Sequence, residues 1–398
     1  MTAFSSNGNT DSQLSLIGSD GTTVIEFDDN NGSLGGLSSS IAGATIPTTG
    51  LYFLKVNFAL AASQLRSYDL YLKVQRGSPT AEVESNDFPG SATPLPAIGW
   101  ISGARNPSGA AEKDWFPVDL TAGETLFISL DLDPERDGTT WNGRLGIAFF
   151  GDAENQLITV DDVGATETPT TIPSEALLFT VKTTGTYYVY VDSATDATGG
   201  PTATYNLSVS KLNAPTGYTT YASRGLPKTI GPNPTDPVAT STISIPDTKV
   251  IKDLRVKVVL NHALMADIDA ILTTPEGNKI ALFTDIGATA TGGQESMNVT
   301  FGDFNAIPPT LTTVLKGLEL MPELGSKFDQ LKGMRANGVW TLELYDDGTN
   351  ASGGTLTSWA IDILEEPLAT QIASYTTIYN ATFEADDNGF THTGTGDQ

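Results

Sequence analysis

The chain has no cysteine and only two histidines, His262 and His392. Without thiols there is no disulfide framework, no thiolate metal site and no cysteine nucleophile. With two histidines this far apart, a histidine-based zinc site inside one module is not expected. Basic residues are scarce: 21 Lys and Arg stand against 47 Asp and Glu, a formal net charge of −26. Nucleic acid and anionic membrane need clustered Lys and Arg, so neither is an expected partner. No apolar run reaches the length of about 18 residues that a membrane helix needs, so membrane insertion is not expected either. The opening Met1-Thr2-Ala3-Phe4-Ser5-Ser6-Asn7 has neither the basic end nor the apolar stretch of a signal peptide. Helical periodicity is nearly missing; its best candidate is Thr310–Leu318, a short helix or a loop.

What the chain does have is short β-branched and aromatic runs bounded by Gly, Asn, Asp, Pro and Ser. Leu51–Phe58, Thr186–Val191, Leu254–Leu260 and Thr341–Tyr345 are examples. The reading is all-β, a tandem of antiparallel β-sandwich or jelly-roll modules. Cysteine-free acidic modules of this kind fit a secreted bacterial protein, extracellular or at the cell surface.

The chain also repeats itself. Leu14-Ser-Leu16 matches Leu145-Gly-Ile147, and Asp28-Asp29 matches Asp161-Asp162. Thr48-Thr-Gly-Leu-Tyr-Phe-Leu-Lys-Val56 matches Thr183-Thr-Gly-Thr-Tyr-Tyr-Val-Tyr-Val191, and Tyr68-Asp-Leu-Tyr-Leu72 matches Tyr205-Asn-Leu-Ser-Val209. The second copy has a front half, residues 80–144, that the first lacks. The expectation is that Met1 is not the natural start. Polar Gly/Pro linkers near residues 77, 213 and 367, which few contacts should cross, give the division 1–76, 77–213, 214–367 and a tail, 368–398. The tail phrase Phe383-Glu-Ala-Asp-Asp-Asn-Gly-Phe-Thr391 resembles the first strand of a further module and is a candidate for self-association by strand addition.

The second copy opens Glu82-Val-Glu84-Ser-Asn86-Asp87 and continues Lys113-Asp114-Trp115-Phe116, with aromatic strands at Gly185-Thr-Tyr-Tyr188 and Tyr205-Asn-Leu-Ser208. It resembles the bacterial pre-peptidase C-terminal domain over about 80–212, and residues 1–75 resemble only that family's back half. The resemblance implies a β-sandwich appended to secreted proteases, with Ca²⁺ at Glu82, Glu84, Asn86, Asp87 and Asp114. Alternation supports it: in an extended segment Glu82, Glu84 and Asn86 point one way. Ca²⁺ takes roughly six to eight oxygens, which such a face plus a neighbouring carboxylate can supply. The alternative is an acidic edge that uses like charge to block pairing.

Residues 251–256, Asn261-His262, Ala266-Asp267-Ile-Asp269-Ala-Ile-Leu272, Thr274-Pro-Glu-Gly-Asn278, Gly338-Val-Trp340-Thr-Leu342 and Gly353-Gly-Thr-Leu-Thr-Ser-Trp359 follow one another in the third module. This order resembles the P domain of proprotein convertases and of bacterial subtilisin-like proteases, over about 236–366. It implies an eight- or nine-stranded jelly roll and Ca²⁺-binding carboxylates at Asp267, Asp303 and Asp346. Asp269, two residues beyond Asp267, joins them by strand alternation; the alternative is Asx-turn capping of loops. Pro275-Glu-Gly-Asn278 reads as a tight turn, Trp340 and Trp359 as core, and His262 as a structural residue without a triad.

No nucleophile–base pair is recognisable, so no catalytic residue is assigned. Two function classes result. One is a calcium-stabilised, non-catalytic accessory region of a secreted hydrolase, a protease, engaging a protein or cell-surface partner. The other is a structural or adhesive surface protein: a layer, stalk or filament subunit.

Overall fold

The computed structural model describes residues 2–5, 12–29, 39–58, 68–105, 113–138, 141–149, 152–161, 174–193, 203–231, 238–286, 296–303, 305, 316–323, 326–349 and 352–367. The tail and His392 lie outside the described residues, as do 310–315 of the expected helix. Among the described residues there are strands and short 3-10 turns and no α-helix. No helix among them is long and apolar enough to cross a membrane.

Three pairs of sheets follow one another. The first uses β1 (Thr2–Ser5), β2 (Ser12–Ile17), β3 (Val24–Asp29), β4 (Ser39–Ser40), β5 (Phe53–Phe58) and β6 (Tyr68–Tyr71), in the orders β4-β1-β6 and β3-β2-β5. The second uses β7 (Thr80–Ala81), β8 (Trp100–Ala104), β9 (Asp114–Leu120), β10 (Thr125–Asp131), β11 (Gly143–Phe149), β12 (Asp152–Val160), β13 (Ser174–Thr180), β14 (Gly185–Ser193) and β15 (Thr204–Leu212). Its sheets run β13-β10-β15-β8-β7 and β12-β11-β14-β9.

The third pair holds β16 (Thr219–Ala222), β17 (Lys228–Ile230), β18 (Val238–Ile245), β19 (Ile251–His262), β20 (Ile268–Thr273), β21 (Lys279–Phe283), β22 (Ser296–Gly302), β23 (Lys316–Leu320), β24 (Gly338–Asp346) and β25 (Gly354–Glu365). One sheet is β16-β25-β19-β22-β23, with β17 also on β25; the other is β18-β24-β20-β21. Ten strands exceed the eight or nine implied by resemblance, because β16 and β17 divide one edge of β25 between residues 360–363 and 354–356. β23 covers residues 316–318 of the segment that reads as a short helix or a loop. It pairs in parallel with β22, and Gly317 has φ +75°, outside the helical region.

Period-two patterning builds these layers. In β18 each second residue from Ala239 to Ile245 is buried and the residues between face solvent. Trp340 and Trp359 are buried, as expected, and each indole N–H has a partner: the Ala336 carbonyl at 2.8 Å and Ser241 Oγ at 2.9 Å. Removing either ring costs about 3–5 kcal/mol.

Contacts do cross the linkers. One apolar cluster runs from Phe116 and Tyr205 in the second pair to Trp340 and Ile363 in the third. Lys182 Nζ donates to Thr300 Oγ1 at 3.0 Å across that boundary. Arg136 joins the first pair to the second: its guanidinium holds Asp131 at 2.8 Å, Glu26 at 3.2 Å and the Ala42 carbonyl at 2.9 Å.

Candidate metal centre

The segment after β7 is not a strand, so simple alternation does not place its acids. Glu82 is half-buried, Glu84 exposed and Asn86 buried. The chain nevertheless returns to β9. The Trp115 amide donates to the Asn86 carbonyl at 3.1 Å, which brings the opening segment against the start of that strand. Glu82, Glu84 and Asp114 then each offer an oxygen within 4.8 Å of the others. Asn86 joins them: its Nδ2 donates to Glu82 Oε2 at 3.2 Å and its backbone N–H to Glu84 Oε2 at 3.3 Å. Its own Oδ1 is buried with no hydrogen-bond partner. Asp87 lies outside the trio.

Tyr205, on β15, is the residue that sequence reasoning missed. Its hydroxyl lies 2.6 Å from Glu82 Oε2 and 2.8 Å from Asp114 Oδ2. A phenol has one proton and can donate to one of them at a time. Burial raises Glu82 above the usual carboxylate range, opposed by the hydrogen bonds from Tyr205 and the Ala104 amide. Burial also raises Tyr205 well above an ordinary phenol, and the Asp114 and Glu82 charges add to that. A buried and a half-buried carboxylate on either side of one neutral phenol are satisfied by an added proton or by a cation. The oxygens of Glu82, Glu84, Asp114 and Asn86 are hard donors, and they suit Ca²⁺ rather than a soft metal.

Gly103 leaves the approach open, since a Cβ there would collide with the Tyr205 hydroxyl and the Glu82 carboxylate. A shallow cleft of about 520 Å³ lies beside them, also lined by Pro134, Glu135 and Thr204.

In the third sheet pair the nominated carboxylates separate. Asp346 pairs across from buried Ile268, so it points inward, whereas Asp269 is on the opposite face of β20. Inside, Asp346 lies 3.4 Å from His262 Nε2, and His262 Nδ1 lies 2.6 Å from the Leu264 carbonyl. Asp303 accepts the amides of Phe328 and Asp329 at 2.9 and 2.5 Å, capping a 3-10 turn at Phe328–Leu331. Asp267 ends another 3-10 turn, and its carbonyl accepts the Asp347 amide at 2.9 Å.

A different set gathers on the outer side. Asp269 is pushed up to about 6, first by burial and then by the charges of Asp285, Asp347 and Glu323. Asp285 is raised by burial and by Asp347 and Asp267. Of this set the sequence nominates Asp267 and Asp269 alone as ligands. Asp285, Glu323 and Asp347 come from three separate loops, which no local spacing connects.

Residues 251–363 match the family model of the proprotein convertase P-domain, in agreement with the resemblance of the third module. No curated protein matches the chain. Among solved structures, a serine protease of Aeromonas sobria is 15% identical, with a TM-score of 0.22 over 39% of this chain and 28% of that one. The chain thus spans 28% of that protease's length. A beta-porphyranase of glycoside hydrolase family 86 from Bacteroides plebeius is 13% identical, with a TM-score of 0.25 over 66% of this chain and 38% of that one.

Proposed function

We propose that this chain is a non-catalytic, calcium-stabilised accessory region of a secreted bacterial hydrolase, a protease. The observation that carries the reading is the P-domain match over residues 251–363. The opening of the second module, with the oxygen cluster of Glu82, Glu84, Asn86 and Asp114, supports a structural cation in a module of the pre-peptidase C-terminal type. An ion bound to the folded state alone stabilises it by about 2.7 kcal/mol at a hundredfold excess over its dissociation constant.

Two measurements test this. Purified chain should leave casein intact, while the full-length natural polypeptide cleaves it; cleavage by the purified chain that disappears in His262→Ala overturns the accessory reading. Melting temperature should rise with added Ca²⁺ and fall in chelator, with Mg²⁺ a poor substitute because it demands a smaller octahedral site. Glu84→Ala and Asp114→Asn should each blunt that response. Identical melting in chelator and in millimolar Ca²⁺ would overturn the structural cation. Burial raises Glu82 above the usual carboxylate range, so protons compete with Ca²⁺ for it, and affinity should climb with pH.

A further inference from the structure

The first sandwich rests on the outer face of the β13-β10-β15 sheet. Tyr71 of β6 packs against Phe127 of β10 at a ring separation of 6.1 Å. Farther along β10, Asp131 faces the same way as Phe127. Gly43 (φ +73°) closes over it, and a Cβ there would collide with the Asp131 carboxylate.

Charge at this junction does not balance. Glu26, Asp131 and Asp133 are 9%, 2% and 3% exposed. Arg136 is their shared guanidinium, and residues 24–43 and 124–140 contain no other Lys or Arg. It sits at φ +57°, a backbone conformation uncommon for a residue with a Cβ. From there it spans Asp131 at 2.8 and 2.9 Å, Glu26 at 3.2 Å, and the carbonyls of Ala42 and Asp133. The Asp133 carboxylate accepts the amides of Asp137 and Gly138 at 3.2 and 3.0 Å. The other charged groups beside this site are acids too. Asp28 of β3 accepts the Ser40 amide. Glu135 and Asp137 are exposed on the loop. Glu175 of β13 pairs with Leu130, on the opposite face of the sheet, and β15 sets the uncharged Asn206 against Asp131. One positive charge thus answers three buried carboxylates, and burial without full compensation favours the neutral acid.

We propose that this junction is a proton-operated latch: a proton taken up among Asp131, Glu26 and Asp133 seats the first sandwich on the second, and its loss loosens the seat. Burial pushes Asp131 up to about 6 against the opposing pull of Arg136, and burial raises Glu26 as well. The docked acids therefore hold a proton that the undocked acids release. Docking strengthens as pH falls from about 6 toward the ordinary value of 3.8, and gains nothing more below it. One proton released on undocking changes the docking constant by about tenfold per pH unit inside that window. Mild acid fixes the first sandwich in place, and neutral surroundings let it move.

Amide hydrogen exchange of the full chain between pH 7 and pH 4.5, corrected for the intrinsic pH dependence of exchange, tests this. Protection of residues 39–43 should climb about tenfold per unit below pH 6. Protection of β19, in the third sandwich, should not follow it. Asp131→Asn and Glu26→Gln each imitate the bound proton. Either should protect 39–43 at pH 7 better than the wild-type chain and weaken the climb. A flat wild-type profile overturns the proposal. A climb shared equally by β19 overturns it too, since that reports stability of the whole chain. So does a loss of protection at pH 7 in both variants with tryptophan fluorescence unchanged, which would make the junction an ordinary ion pair.

Discussion

Tyr205 has one proton and two carboxylates within reach of it. Tyr205→Phe keeps the buried ring and removes the hydroxyl that Glu82 and Asp114 share. In chelator the variant should lose about 1–3 kcal/mol of stability, the cost of taking one hydrogen bond from these carboxylates. With Ca²⁺ bound, the ion takes over that neutralising task, so the loss should shrink. A loss of equal size in Ca²⁺ and in chelator, read from urea melts, would show that no ion replaces the phenol. The acids around Tyr205 were readable because their spacing carries the motif. Tyr205 itself was not, because a tyrosine in an alternating strand reads as core, and its hydroxyl's target is fixed only when β15 pairs with β8. Asp303 shows the opposite case, an acid nominated from sequence whose oxygens are occupied by two backbone amides.

The turn between β13 and β14 reaches into the third sheet pair through Lys182. Burial lowers this lysine to about 8, while Glu319 on β23 and Asp362 on β25 hold it up and Lys257 on β19 pushes it down further. An ammonium with a depressed folded pKa opposes folding while both states are protonated, which holds below about pH 8. That opposition fades as the folded form gives up its proton first, between about 8 and the ordinary value near 10.5. The wild-type chain should therefore gain stability relative to Lys182→Met as pH rises from 7.5 to 10 (a comparison that cancels the titration of the remaining groups). Parallel melting temperatures for the two across that window would refute it. At this scale most strands were legible from their alternation. The exception, β23, follows from its place: an edge strand made with parallel partner β22 and a glycine at positive φ shows no period of its own.

For the whole molecule, the shared apolar cluster predicts coupled unfolding of the second and third sandwiches. The five tryptophans all lie in these two: Trp100, Trp115, Trp141, Trp340 and Trp359. Calorimetry should give one main transition that coincides with the tryptophan fluorescence change, and a smaller, cooler, fluorescence-silent one from the first sandwich, whose core among the described residues is small. Separate transitions for Trp115 and Trp340, resolved with single-tryptophan variants, would refute the coupling. No sequence pattern announced this coupling, because Lys182 and Thr300 are 118 positions apart and become neighbours only when both sandwiches have formed.

The position of β25 also has a meaning in time. It pairs with β16, β17 and β19, so the larger sheet of the third sandwich is held together by its last strand. During synthesis, on the order of 100 residues separate β19 from the end of β25, which at ribosomal speed is about 5–20 s. Throughout that interval the growing chain presents the flank of a twelve-residue strand, Ile251–His262, without its eventual neighbour. A chaperone that shields this stretch until Glu365 emerges should raise the yield of soluble protein more than one that acts after release.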